Sequence, residues 1–177
     1  MAEEWSDKSV SYVQPRPRQT DAWTAETAQQ GRRGTQQIRE VAEVPAPDVI
    51  ASALNLPSGE PVVVRRRLVL LDEQPYELAD SYYPVTIARG TALVEPRKIP
   101  GGAVTLLADL GRLPHRIEED VYTRPATADE RDVLHLDEHE WVLVLTRLSR
   151  THDGTPVEVS VMTMVARGRH LRYELPA

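Results

Sequence analysis

The stretch PVVVRRRLVLLDEQPYELADSYYP, Pro61 to Pro84, decides how the rest of the chain is read. Pro61 to Leu71 is dense in valine and leucine, Asp72 to Pro75 is a polar break, and Tyr76 to Tyr83 turns apolar and aromatic again. Two such runs across a short polar break predict an antiparallel hairpin. Side chains on a strand alternate between faces. Arg65, Arg67 and Val69 therefore share one face, and Val64, Arg66, Leu68 and Leu70 the other. On the returning strand Glu77, Ala79, Ser81 and Tyr83 alternate with Tyr76, Leu78, Asp80 and Tyr82.

Working outward, Trp141 to Arg150, a turn at His152–Thr155 and Pro156 to Ala166 predict a second hairpin. Its last strand sets Glu158, Ser160, Met162 and Met164 on one side and Val157, Val159, Val161, Thr163 and Val165 on the other. Ile38 to Val44, Arg116 to Thr123 and His170 to Leu175 read as further strands. Helices are expected from Pro47 to the Pro57-Ser58-Gly59 stop, from Ala103 to Leu110, and from Thr127 to Leu136, where Glu130 completes a capping box. Hairpins with helices between them give an α+β fold: an antiparallel sheet of about six strands covered by helices on one side. The two hairpins are similar in layout, which reads as ordinary meander geometry, and no internal repeat is expected.

The 177 residues suffice for one domain with a real core. Residues 1–37 lack a sustained apolar period and read as an irregular N-terminal arm, with a short helix at Asp21–Gln30; residues 38–177 form the domain. Trp5, Tyr12 and Trp23 are the arm's candidate packing residues. A net charge of −6 argues against a large nucleic-acid footprint. Absence of cysteine excludes thiolate chemistry and fits a cytoplasmic chain. No apolar run reaches membrane-spanning length, and the acidic start, MAEEWSDKSV, does not look like a secretion signal.

The mixed face carrying Arg65, Arg67, Glu77, Ser81, Tyr83, Glu158, Ser160, Met162 and Met164 suits a ligand cleft, in which a few polar groups orient a molecule among apolar walls. Gly102, beside Gly101 before a helix, can present backbone N–H groups to the same space. Against this stands a plainer possibility: Arg67 and Glu77 as cross-strand partners on a solvated face. His135 to His139 has an H-x-x-E-H spacing, but it runs from a helix end into a turn, so no metal site is expected. There is no nucleophile elbow, phosphate loop or dinucleotide fingerprint, and no cofactor is expected.

The ordered set "LNLPSGEPVVVRRRLVLLDEQP", "SYYP", "TADERDVLHL", "WVLVLTRLSRTHDGTPVEVS" and "RYEL" resembles the UTRA domain of HutC-type GntR transcription regulators, with its chorismate lyase-like fold, over Ile38 to Leu175. The resemblance implies a homodimeric sensor of a small-molecule effector, without catalysis. Family members that sense phosphorylated sugars use an Arg and a Glu that fall on Arg67 and Glu158. Their second-strand acid, helix hydroxyl and tyrosine fall on Ala79, near Gly102 and on Met164. That substitution pattern implies a more apolar effector with one carboxylate for Arg67. The 37 or so residues before the resemblance are too few and too aperiodic for a winged helix, so DNA would be reached only through a separate or missing domain. An enzyme of the chorismate lyase type acting on a small anion, or a dimeric interaction module with an empty cleft, are the alternatives.

Overall fold

The hairpin expected of Pro61–Pro84 forms two neighbouring interior strands of the sheet. The computed structural model describes residues 5–7, 12–15 and 21–173. In chain order it has β1 (Trp5–Asp7), α1 (Ala22–Gln29), β2 (Gly34–Pro45), α2 (Asp48–Ala53), β3 (Pro61–Leu71) and β4 (Gln74–Pro84). There follow α3 (Val85–Ala88), a 3-10 turn (Ala92–Val94), α4 (Gly102–Asp109), β5 (Arg116–Pro125), α5 (Ala128–Leu134), β6 (Trp141–Arg150), β7 (Pro156–Val165) and β8 (Arg169–Leu171). Six strands form one antiparallel sheet in the order β2-β3-β4-β7-β6-β5, while β1 pairs in parallel with β8. The α+β expectation holds.

Helices lie on both faces of the sheet, not one. Ile50 and Ala51 of α2 pack on Val62, Val64, Tyr82 and Val159, and Leu134 of α5 packs on Val142 and Val144. Val63, Tyr83 and Val157 turn the other way, against Ile87 and Ala88 of α3 and Leu107 of α4. The short α3 and the 3-10 turn lay too close together in sequence for periodicity to reveal them. The strand expected from Ile38 starts earlier, since β2 begins at Gly34. Glycine is needed there because a Cβ would sit 2.5 Å from Thr27 Oγ1 and 2.6 Å from Trp23 Nε1. Asp21 caps α1 through the Thr24 amide, as its position suggested. The Trp5 side chain, and Glu174 and Leu175 of the expected last strand, lie outside what is described.

Two bulges correct the alternation. Val69 pairs with Glu77 but Leu70 pairs with Pro75, so Tyr76 is an extra residue and packs beside Trp23 and Val69. Likewise Ser149 pairs with Glu158 but Arg150 with Pro156, so Val157 is extra and joins Val63 and Tyr83 instead of Val159.

The matched bulges belong to a larger correspondence: the chain contains an internal repeat. The unit β2-α2-β3-β4 is matched by β5-α5-β6-β7, and the two meet where β4 pairs with β7. The buried Ala46, Leu54, Val62 and Val64 are matched by Ala126, Leu134, Val142 and Val144. The Ala46 amide donates to the Glu60 carbonyl, and the Ala126 amide to that of Glu140. Asn55 and His135 both take positive φ, 57° and 54°, where their helices end. His135 is thus a helix cap, so the H-x-x-E-H histidines do not share a helical face. Pro57-Ser58-Gly59 against Asp137-Glu138-His139 hides the repeat in the sequence.

Candidate functional site

On the α3–α4 side of the sheet, the two halves enclose a cavity of about 190 Å³. Its floor is the face of β3, β4, β6 and β7 that sequence alternation singled out. Its walls are residues 12–14, the start of α1, and the loop entering α4. Arg65, Arg67, Glu77, Tyr83, Gly102, Glu158, Ser160, Met162 and Met164 all line it. Ser81 lies beneath the lining, 1% exposed, and acts through its neighbours.

One hydrogen-bonded chain crosses the floor. Arg67 Nη2 donates to Ser81 Oγ at 2.9 Å, and Ser81 Oγ lies 2.8 Å from Ser160 Oγ. Ser160 Oγ donates to Glu158 Oε1 at 2.9 Å, and the Tyr83 hydroxyl donates to the same oxygen at 2.7 Å. Since the Ser160 proton goes to Glu158, the Ser81 proton must go to Ser160. Burial pushes the Tyr83 hydroxyl well above its ordinary value, and the Glu158 charge adds to this, so Tyr83 stays protonated and donates.

The other charged residues around the cavity are occupied. Arg65, 4% exposed, donates through Nη1 to the carbonyls of Leu93 and Glu95 at 2.8 and 2.7 Å, and through Nη2 to that of Arg97 at 2.8 Å. It therefore pins the segment after the 3-10 turn to the sheet. Glu77 pairs with Arg169 at 2.6 Å, not with Arg67, because the register sets Glu77 opposite Val69 and Arg67 opposite Ala79. Arg169 also lies over the Tyr76 ring, 4.1 Å from its centroid, and Tyr76 stacks on Trp23. Arg147 pairs with Glu119 at 2.6 Å, both nearly buried. At the mouth Lys98 Nζ lies 2.6 Å from Asp21, joining α1 to the loop before α4. Burial raises the Asp21 carboxyl, but hydrogen bonds from Lys98 and the Thr24 amide outweigh it and leave it below its ordinary value.

Arg67 and Glu158 stand apart from this pattern. Among the described residues Arg67 has no carboxylate partner: it contacts Gln36 Oε1 at 3.2 Å and Ser81, and its buried Nε has no partner. Glu158, 8% exposed, has only hydroxyl donors, both on Oε1. Gly102, the first residue of α4, has open space where a side chain would begin. Lys98, Arg147 and Arg169 line the cavity without having been anticipated, because each arrives from a loop or strand whose register sequence does not give. Tyr12 and Trp23, which also line it, did carry a signal, as aromatics in a polar arm. Among the described residues no group of three metal-ligating side chains forms.

The profile of a family described as the UTRA domain matches residues 29–167. An uncharacterized HTH-type transcriptional regulator of Streptomyces coelicolor is 37% identical over 145 residues, which are 79% of this chain and 54% of that protein. One from Rhizobium meliloti is 30% identical over 146 residues, 78% of this chain and 59% of that protein. The chain thus spans little more than half the length of these relatives. The effector domain of PhnF from Mycobacterium smegmatis superposes with a TM-score of 0.75 at 20% identity, covering 93% of this chain and 99% of that one. The ligand-binding domain of a GntR-family transcriptional regulator from Bordetella bronchiseptica gives 0.70 at 27% identity, covering 81% and 91%.

Proposed function

The chain belongs to the UTRA family, the effector-binding domain of GntR-type transcription regulators, and from that premise we propose that its effector is a small anion with a largely apolar body, held by Arg67. The observation that carries this is the state of Arg67: a guanidinium at the cavity floor with a buried, unpartnered Nε and no carboxylate among the described residues. A half-buried guanidinium with a buried, unpaired N–H is open to an acceptor, and a carboxylate ligand offers the bidentate geometry it favours. Met162, Met164 and Leu145 supply apolar wall for the remainder of the molecule. Ala79, opposite Arg67 on β4, offers no polar group to a sugar hydroxyl.

We place the chain in the HutC subfamily, acting in the cytoplasm as a homodimer and binding its effector without turning it over. DNA is reached through a domain the described residues do not include. Thermal unfolding with a panel of small monocarboxylates tests the site. A compound at 100 times its Kd adds about 2.7 kcal/mol of stability. Arg67→Ala, checked for folding by circular dichroism, is expected to abolish that shift. Equal stabilisation of wild type and Arg67→Ala would remove Arg67 from the site.

A further inference from the structure

The internal repeat assigns a second requirement to the effector, resting on the effector reading above. Arg67 and Arg147 are equivalent positions on β3 and β6, and Glu77 and Glu158 on β4 and β7, each glutamate preceded by a bulge residue. In each equivalent pair one member is neutralised by the protein and the other is not. Arg147 faces Glu119 across the β5–β6 ladder and pairs with it, whereas the residue facing Arg67 across the β2–β3 ladder is Ile38. Glu77 is met by Arg169, whereas Glu158 is met only by the hydroxyls of Tyr83 and Ser160.

We propose that the effector is a zwitterion, an α-amino acid with an apolar side chain, whose carboxylate takes the place at Arg67 that Glu119 holds at Arg147 and whose ammonium takes the place at Glu158 that Arg169 holds at Glu77. The spacing fits. Arg67 and Glu158 are separated by the two serine oxygens, which lie 2.8 Å apart. The carboxylate and ammonium of an α-amino acid are about as far apart as those oxygens, so one molecule laid along the Ser81–Ser160 bond reaches both charges. The direction of the hydrogen bonds fits as well. Both protein donors point at Glu158 Oε1, and Oε2 has no partner among the described residues. The floor offers it no further donor, because the Ser81 proton is already given to Ser160. An ammonium supplies three donors and the missing charge together. A carboxylate without an amine satisfies Arg67 but leaves Glu158 buried and uncompensated, a state that costs free energy.

Isothermal titration and thermal unfolding with matched probes decide the matter: leucine, methionine and phenylalanine, each beside its deaminated acid, its 2-hydroxy acid and its decarboxylated amine. At least one amino acid is expected to bind ten-fold or more tightly than its deaminated acid, its hydroxy acid and its amine. Glu158→Gln, checked for folding by circular dichroism, is expected to narrow that gap to less than three-fold. If the deaminated or hydroxy acid binds as well as the amino acid, the zwitterion is overturned while Arg67 as the anion site stands. If none of these probes binds but other carboxylates do, the outcome is the same. If no carboxylate of either panel binds, both this inference and the effector reading fall.

Discussion

The half of the molecule built from β2, α2, β3 and β4 and the half built from β5, α5, β6 and β7 share a scaffold down to their bulges and helix caps. Their apolar positions are interchangeable: Val62 and Val142, Leu54 and Leu134, Ala46 and Ala126 are buried alike. Their charges are not. The second half closes its arginine with Glu119, and the first closes its glutamate with Arg169. Each half therefore leaves a different charge open, and the open ones, Arg67 and Glu158, are joined through Ser81 and Ser160. Packing needs the repeat to be kept, whereas a binding site needs it to be broken at a few places on one face.

The strongest way to break this comparison is to truncate both arginines. Arg147→Ala strands Glu119, whose side chain is 9% exposed, and removal of one partner from a buried pair costs about 3–5 kcal/mol. Arg67→Ala removes hydrogen bonds to neutral groups only and is expected to cost about 1 kcal/mol. Urea unfolding of the ligand-free proteins measures both. Equal costs would mean that Arg67 is neutralised in solution and that the halves do not differ as described.

A smaller and sharper test converts one half into the other. Ile38→Glu sets a carboxylate opposite Arg67, as Glu119 stands opposite Arg147. The variant is expected to gain about 1 kcal/mol of stability in the ligand-free state and to lose effector binding, because the added carboxylate occupies Arg67. Unfolding midpoints and titration with the same carboxylates report the two effects. A variant that still binds with wild-type affinity would show that the anion lies elsewhere.

How much of this was open to the sequence follows from the same contrast. Alternation along Pro61–Pro84 and Pro156–Val165 gave the hairpins and the mixed face, because period-2 burial depends on each strand alone. It misplaced Tyr76 and Val157, because a bulge is a property of two strands in register. The isolation of Arg67 was hidden for the same reason: that Ile38 rather than Arg39 faces it is decided by the irregularity between Ile38 and Glu40. The repeat escaped notice because its matches are spaced apolar positions, while the loops between them share little. Lys98 and Asp21, far apart in the chain, meet only once α1 is laid across the cavity mouth.

The smallest expected difference lies at the two equivalent helix starts. In α5, Thr127 and Glu130 form a capping box, and Glu130 also takes two hydrogen bonds from Arg124, at 2.7 and 2.6 Å. In α2, Pro47 stands at the same place with no side-chain cap bond. Thr127→Ala is therefore expected to cost about 1 kcal/mol at neutral pH, with no counterpart in α2 to lose. The Arg124 hydrogen bond, helped by the Thr127 amide and opposed by burial, holds the Glu130 carboxyl below its ordinary value of 4.5. A carboxyl lowered on folding stabilises fully above its unfolded value, and that contribution fades as pH falls through the folded one. Unfolding of wild type and Glu130→Gln should thus differ most above pH 4.5 and converge as the medium is acidified below it. A gap that stays constant through that range would mean Glu130 acts in the cap by shape alone, and the two helix starts would then differ in packing rather than in charge.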